Sequence, residues 1–239
     1  MRHAARRHLR VEAVLSILDV DFVADPLGAL FWREERLLVV ADLHFEKGSA
    51  FAAKGVFLPP YDTAATLVSL AQLIAYYEPR CVVALGDSFH DGAAGDRMSD
   101  ADRSGVGGLQ QGRDWIWIAG NHDRELPRGL SGEARNELAV GRMTFRHEPA
   151  AGAIGEIAGH LHPVARVAGR GGSVRRRSFV SDGARCVLPA FGAFAGGLNL
   201  HDSAFDPLFG GPARSFAILA HVMGRSAVYR VPHRLCLPD

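Results

Sequence analysis

The sequence predicts a single α/β domain, and three observations predict it. Three short apolar runs, Leu37–Val40, Cys81–Leu85 and Trp115–Ala119, read as buried strands, and each hands over to polar residues. Between the first two, Leu67, Leu70, Ala71, Ile74 and Tyr77 recur at helical spacing. Beyond the third, short strand-like segments alternate with glycine turns, and no long helical pattern recurs.

Taken in order, Leu37–Val40 is valine-rich and leads into Ala41-Asp42. The amphipathic pattern over Thr63–Tyr77 is stopped by Pro79. Cys81–Leu85 ends in Gly86-Asp87, and Trp115–Ala119 in Gly120-Asn121-His122-Asp123. A βαβ arrangement collects catalytic groups at the carboxyl edge of its strands, which is where these polar residues fall. Asp91–Arg113, rich in glycine and in both charges, reads as a flexible loop. The later segments Glu137–Val140, Met143–Arg146, Glu156–Ala158, Ser178–Ser181, Arg185–Leu188 and Phe216–Ala220 read as mainly antiparallel β. Residues 1–17 are expected to be a loosely ordered lead-in to a domain over 18–239, since no proline-rich linker or internal repeat divides the chain.

Composition narrows the class. With 239 residues, 48% hydrophobic and 22% charged, the chain reads as an ordinary folded globular protein rather than a disordered or membrane one. A net charge of +1 lacks the overall basic character of a protein that coats nucleic acid. The arginines are nevertheless uneven, crowding Arg2–Arg10 and Arg166–Arg185, where Arg175, Arg176 and Arg177 are consecutive. Such runs are usually solvated surface. Cys81, Cys186 and Cys236 are odd in number and lack a CxxC, so neither a disulfide framework nor a cysteine zinc site is expected, and a reducing cytoplasm fits. Val14–Leu18 is too short for a signal core and is followed by Asp19 and Asp21, and no apolar run reaches the ~18–20 residues of a membrane span.

The informative pattern is the order of candidate metal ligands: Asp42-x-His44, Gly86-Asp87, Gly120-Asn121-His122-Asp123, His147, then Gly159-His160-x-His162. Imidazole and carboxylate donors with one amide oxygen suit Mn²⁺, Fe or Zn²⁺ better than Ca²⁺. In Asp42-Leu43-His44 and His160-Leu161-His162, strand-like alternation would put both polar side chains on one side and the leucine in the core.

This order resembles the calcineurin-like metallophosphoesterases over about Leu37 to Pro163. The resemblance implies a β-sandwich of mixed sheets flanked by helices. It implies that Asp42, His44 and His162 hold one metal, that Asn121, His147 and His160 hold the other, and that Asp87 bridges them. It implies hydrolysis by a hydroxide between two divalent ions, Mn²⁺ being the expected pair, with His122 facing the phosphate as the catalytic side chain. Asp123 would orient His122 or serve a turn. His90 and Asp91 would stand behind the ligands or belong to a loop, and His147, lacking a flanking glycine, has a surface histidine as its alternative. His201 reads as a turn residue.

Further stretches, Leu38–Lys47, Leu58–Thr63, Gly86–Asp91 and Leu188–Gly192, are similar to the bacterial ligase-associated DNA damage response endonucleases. That similarity implies a DNA substrate, phosphodiester cleavage in DNA repair, and association with a DNA ligase and a helicase. On the residues alone, Leu58–Tyr61 also reads as a loop end with Asp62 or Thr63 capping the next helix, and Leu188–Gly197 as a turn near the site. Arg175, Arg176 and Arg177 are candidates for phosphate-backbone contacts. A phosphoesterase of small or cyclic nucleotides, or a scaffold without turnover, are the alternative readings.

Overall fold

The computed structural model describes residues 12–123, 126–169, 171–209 and 218–239. Its first sheet is built from β1 (Ala13–Ile17), β2 (Val20–Ala24), β3 (Leu30–Trp32), β4 (Leu37–Val40), β5 (Cys81–Leu85), β6 (Asp114–Ile118) and β7 (Glu133–Arg135). They lie side by side in that order. The turns that join β1 through β4 are short, so these strands pair antiparallel, whereas β4 to β7 are parallel. Between them come α1 (Lys47–Ala53), α2 (Asp62–Tyr77), α3 (Ala94–Arg97) and α4 (Asp100–Gln110).

The second sheet comprises β8 (Glu137–Val140), β9 (Met143–Arg146), β10 (Glu156–Ala158), β11 (Val164–Gly169), β12 (Gly172–Ser181), β13 (Arg185–Val187), then, after the short α5 (Asp206–Phe209), β14 (Leu219–Met223), β15 (Val228–Pro232) and β16 (Cys236–Leu237). Its main path runs β15-β14-β12-β13-β10-β9-β8, with β11 and β16 extending from the outer half of β12. Pairing is mainly antiparallel, as expected, except that β10 runs parallel to both β9 and β13. The loop from β9 and the β11–β12 hairpin return the chain to the start of the next strand, so all three point the same way.

Period-2 alternation divides β4 between two cores: Leu37 and Val39 face the second sheet, where Met143, Phe145, Ile157 and Phe179 meet them, while Leu38 and Val40 pack against Leu70, Leu73 and Ile74 of α2. A third cluster, including Val180, Phe205, Leu208 and Val222, covers the far face of the second sheet. The result is the sandwich of mixed sheets with flanking helices that the sequence led us to expect.

Three expectations change. Residues 1–11 of the expected loose lead-in, with its arginines, lie outside the described residues, but Ala13–Ile17 forms a strand that buries Leu15 and Ile17 in the sandwich. Asp91–Arg113 is not a loop throughout: Ser99 caps α4 by accepting from Asp102 N, and Val106 packs with α2 residues. The glycines lowered the helical signal there. Phe216 and Ala217 of the expected last strand lie outside the described residues, and the strand itself starts at Leu219. Among the described residues no helix is long and apolar enough to cross a membrane.

Candidate metal centre

Parallel pairing explains how distant parts of the chain meet. Strands β4, β5 and β6 end at one edge of the first sheet and deliver Asp42 and His44, Asp87, and Asn121 and His122. Strands β9 and β10 end side by side in the second sheet and deliver His147, and His160 with His162. The chain there is not extended strand as expected. Asp42, His44, Asp87, His160 and His162 all have left-handed φ, between 44° and 71°. Backbone of this kind costs about 1–3 kcal/mol per residue and concentrates at functional sites. Leu43 is buried under the helices, and Leu161 is partly buried against the third cluster.

Two groups of donors result. Asp42, His44 and His162 converge in one, and Asp87, His147 and His160 in the other, with the donor atoms of each group within 4.8 Å of one another. In the first, His162 Nε2 lies 3.2 Å from Asp42 Oδ1 and 3.4 Å from His44 Nε2. In the second, His147 Nε2 lies 3.4 Å from Asp87 Oδ1, 3.2 Å from His160 Nδ1 and 2.8 Å from Asn121 Oδ1. Donors about 2.0–2.2 Å from a shared ion stand roughly 3–3.5 Å apart, so these separations fit a metal. The groups adjoin, since His147 Nδ1 is 3.7 Å from Asp42 Oδ1. The geometry assigns Asp87 to the second group.

The second group carries a further sign of a cation. His147 Nδ1 donates to the Leu85 carbonyl at 3.0 Å, which leaves Nε2 as the lone-pair nitrogen. Nε2 then faces the Asn121 amide oxygen at 2.8 Å, two atoms that a cation held there would share. His147 is only 4% exposed, which rejects the surface alternative. Its ring sits where a side chain on Gly86 would be, a Cβ there falling 2.5 Å from the imidazole. Gly120 is required for the same kind of reason, as its Cβ would collide with the Asp87 backbone nitrogen.

Burial, opposed by Asp42, lowers the His44 pKa to about 3. Burial and then the His147 ring lower that of His160. Both are therefore neutral near pH 7, as a metal ligand must be. Burial also acts on His162, but its hydrogen bond to Asp42 and the charges of Asp42 and Asp87 outweigh it and raise the pKa.

His122 differs from the donors. Its side chain is 44% exposed, its Nε2 stands 3.8 Å from Asp87 Oδ2, and its backbone N–H donates to Asp87 Oδ1 at 3.0 Å. The ring stacks on His90 at 5.8 Å between centroids, and His90 in turn packs on Phe51 of α1. Asp123 does not orient His122. It accepts from the backbone N–H groups of Phe89 and Gly120, tying two site loops together, and burial, with Asp87 adding, raises its pKa to about 6. Asp91 faces away into an ion pair with Arg97, whose Nε also donates to Ser49. His201 sits in a turn, its backbone N–H donating to Asn199 Oδ1 at 2.9 Å, and its Nε2 lies 2.9 Å from the distant Cys236 carbonyl.

Sequence reasoning missed the frame around these residues. Asp62 and Thr63 do not cap α2; Asp62 accepts from Gly48 N, and Thr63 Oγ1 accepts from Glu46 N while donating to Glu46 Oε1. The start of α2 thus clamps the segment that follows His44. From the other side, Phe191 N and Gly192 N donate to the carbonyls of Ala41 and Asp42. The arginine run also divides. Arg185 is buried in an ion pair with Glu156, Arg175 pairs with Asp239, and Arg176 points to the opposite side of β12. Arg177 is half-buried and donates to the Ala190 and Phe191 carbonyls.

Fold and site together define a metal-dependent phosphoesterase. The sequence model of the calcineurin-like phosphoesterases matches residues 35–185, and the chain belongs to that family. Among solved structures, the nuclease MPE of Pseudomonas putida is 27% identical with a TM-score of 0.70, the alignment covering 92% of this chain and 100% of that one. The phosphoesterase Yfce of E. coli is 14% identical, covering 82% and 98%, with a TM-score of 0.37. No curated protein matches.

Proposed function

We propose that the protein is a two-metal phosphodiesterase that cuts DNA, acting as an endonuclease in ligase-associated repair. The observation that carries this reading is the pair of adjoining donor groups, Asp42, His44 and His162 beside Asp87, His147, His160 and Asn121. Asp87 would be shared between the two ions. When bound, a pair of divalent ions, Mn²⁺ in this proposal, supplies Lewis acidity and an activated water for in-line phosphoryl displacement.

The chain's own residues do the rest. The left-handed backbone at Asp42, His44, Asp87, His160 and His162 aims the donors before substrate arrives. His122, exposed beside Asp87, would hydrogen-bond the phosphoryl oxygens and pass a proton to the leaving oxygen through Nε2. His90, stacked on His122, would keep that ring in place.

DNA is favoured over a small nucleotide because the similar Pseudomonas putida protein is a nuclease, and because α4 packs against α2 rather than over the donors. A cytoplasmic setting, with a DNA ligase and a helicase as functional associates, belongs to the same proposal. The test is Mn²⁺-dependent hydrolysis of bis-p-nitrophenyl phosphate and of labelled single-stranded DNA by wild type, His122→Ala and Asp87→Asn. Cleavage of both substrates by wild type, reduced at least about 100-fold in the variants, is expected. Hydrolysis of the small ester alone would transfer the site to small nucleotides, and inactivity on both with metal bound would make the protein a scaffold.

A further inference from the structure

A cavity of about 380 Å³ opens between α2, β12 and the segment after β13, lined by Ala65, Thr66, Ser69, Arg177, Gly192 and Phe194 among others. One of its lining residues touches the backbone of a donor, since Gly192 N donates to the Asp42 carbonyl at 3.1 Å. Two of its residues suit a ligand.

The first is Arg177. Its Nη1 donates to the carbonyl oxygens of Ala190 and Phe191 at 2.8 and 3.2 Å, and among the described residues no carboxylate pairs with it. Burial lowers its pKa, with no acid raising it. A half-buried guanidinium usually faces a carboxylate or a phosphate, and this one faces a cavity.

The second is Phe194, which is 48% exposed and has φ at 60°. A bulky non-glycine residue rarely adopts that backbone unless its neighbours impose it. Here they do: Ala193 N donates to Thr66 Oγ1 at 3.0 Å, and Lys47 Nζ donates to the Phe194 carbonyl at 3.1 Å. The strain holds an aromatic ring at the cavity rim, in solvent, with no core to fill.

We propose that this cavity is a nucleotide subsite next to the scissile phosphodiester, in which Arg177 takes the neighbouring backbone phosphate and Phe194 stacks on its base. The inference rests on the nuclease reading and extends it. A cavity of this size suits one nucleotide. Stacking on an aromatic ring tolerates any base, and a phosphate contact reads no sequence, so the subsite would place the strand without choosing one.

The experiment pairs a change in the protein with a change in the substrate. Single-stranded oligonucleotides carry one abasic position, or one neutral methylphosphonate linkage, and every cleavage site is mapped. With wild type, each lesion should suppress cleavage at a fixed offset by about tenfold, the scale of one lost stack. Phe194→Ala should cut intact DNA about tenfold more weakly and lose its sensitivity to the abasic position, while Arg177→Gln should lose its sensitivity to the methylphosphonate. Arg177 also holds two carbonyls near Asp42, so Arg177→Lys and the exposed Phe194 protect against a folding artefact. If DNA is cut and the lesions act equally on wild type and variants, the subsite is overturned while the nuclease reading stands. If bis-p-nitrophenyl phosphate is hydrolysed and DNA is not, both fall.

Discussion

Each donor is held by a constraint that can be removed singly. Gly86, with φ at 69°, leaves the space that the His147 ring occupies. Gly86→Ala should therefore displace His147, cost about 1–3 kcal/mol, and weaken the second metal more than the first. Metal content after dialysis checks this, and two ions retained at wild-type affinity would refute it. His122 contributes no donor to either group, so His122→Ala should keep both ions while turnover falls about 100-fold or more. Loss of metal in that variant would mean that His122 is a ligand. Asp42, His44, Asp87, Asn121, His160 and His162 were legible because each follows a strand end or a glycine. His147 was harder to read because its glycine is remote: Gly86, on another strand, makes its room. Of the two readings of Asp123, its contact with Gly120 N is the turn one, and its second partner, the N–H of Phe89, becomes a neighbour only when two loops meet.

At the level of elements, parallel pairing of β9 with β10 brings His147 beside His160, and the sequence pattern of short strands and turns does not encode that direction. The same limit hid β1, whose alternation Val14-Leu15-Ser16-Ile17 is brief and opens on residues that read as a tail. Leu15→Ala or Ile17→Ala should cost about 2–5 kcal/mol in urea unfolding, because both side chains lie in the sandwich core. A cost below about 0.5 kcal/mol would show the strand to be dispensable. On β14, burial, with Arg230 adding, lowers the His221 pKa to about 4. The unfolded chain, with its histidine near 6.5, then binds more protons between those values. This contribution to stability is complete above pH 6.5 and is lost as the pH falls towards 4. His221→Phe should flatten the pH profile of the metal-free protein in that window, whereas parallel profiles would contradict the assignment.

For the whole molecule, two sheets meet so that the C-terminal ends of β4, β5 and β6 face those of β9 and β10 across one seam. The fold class was readable because alternation and apolar runs report burial directly. Leu188–Gly197 was readable as a turn near the site but its hydrogen bonds to Ala41 and Asp42 were not, nor was the clamp at Asp62 and Thr63, since both join distant parts of the chain. Metal binding to this seam is available only to the folded chain. Saturating Mn²⁺ should therefore raise the unfolding midpoint, and Asp87→Asn should reduce that rise. The most direct test of the account is to titrate Mn²⁺ into the metal-free protein while following bis-p-nitrophenyl phosphate hydrolysis. It predicts two ions bound per chain, with activity appearing as the second site fills. Full activity at one ion per chain, or saturation at a single ion, would contradict a two-metal centre.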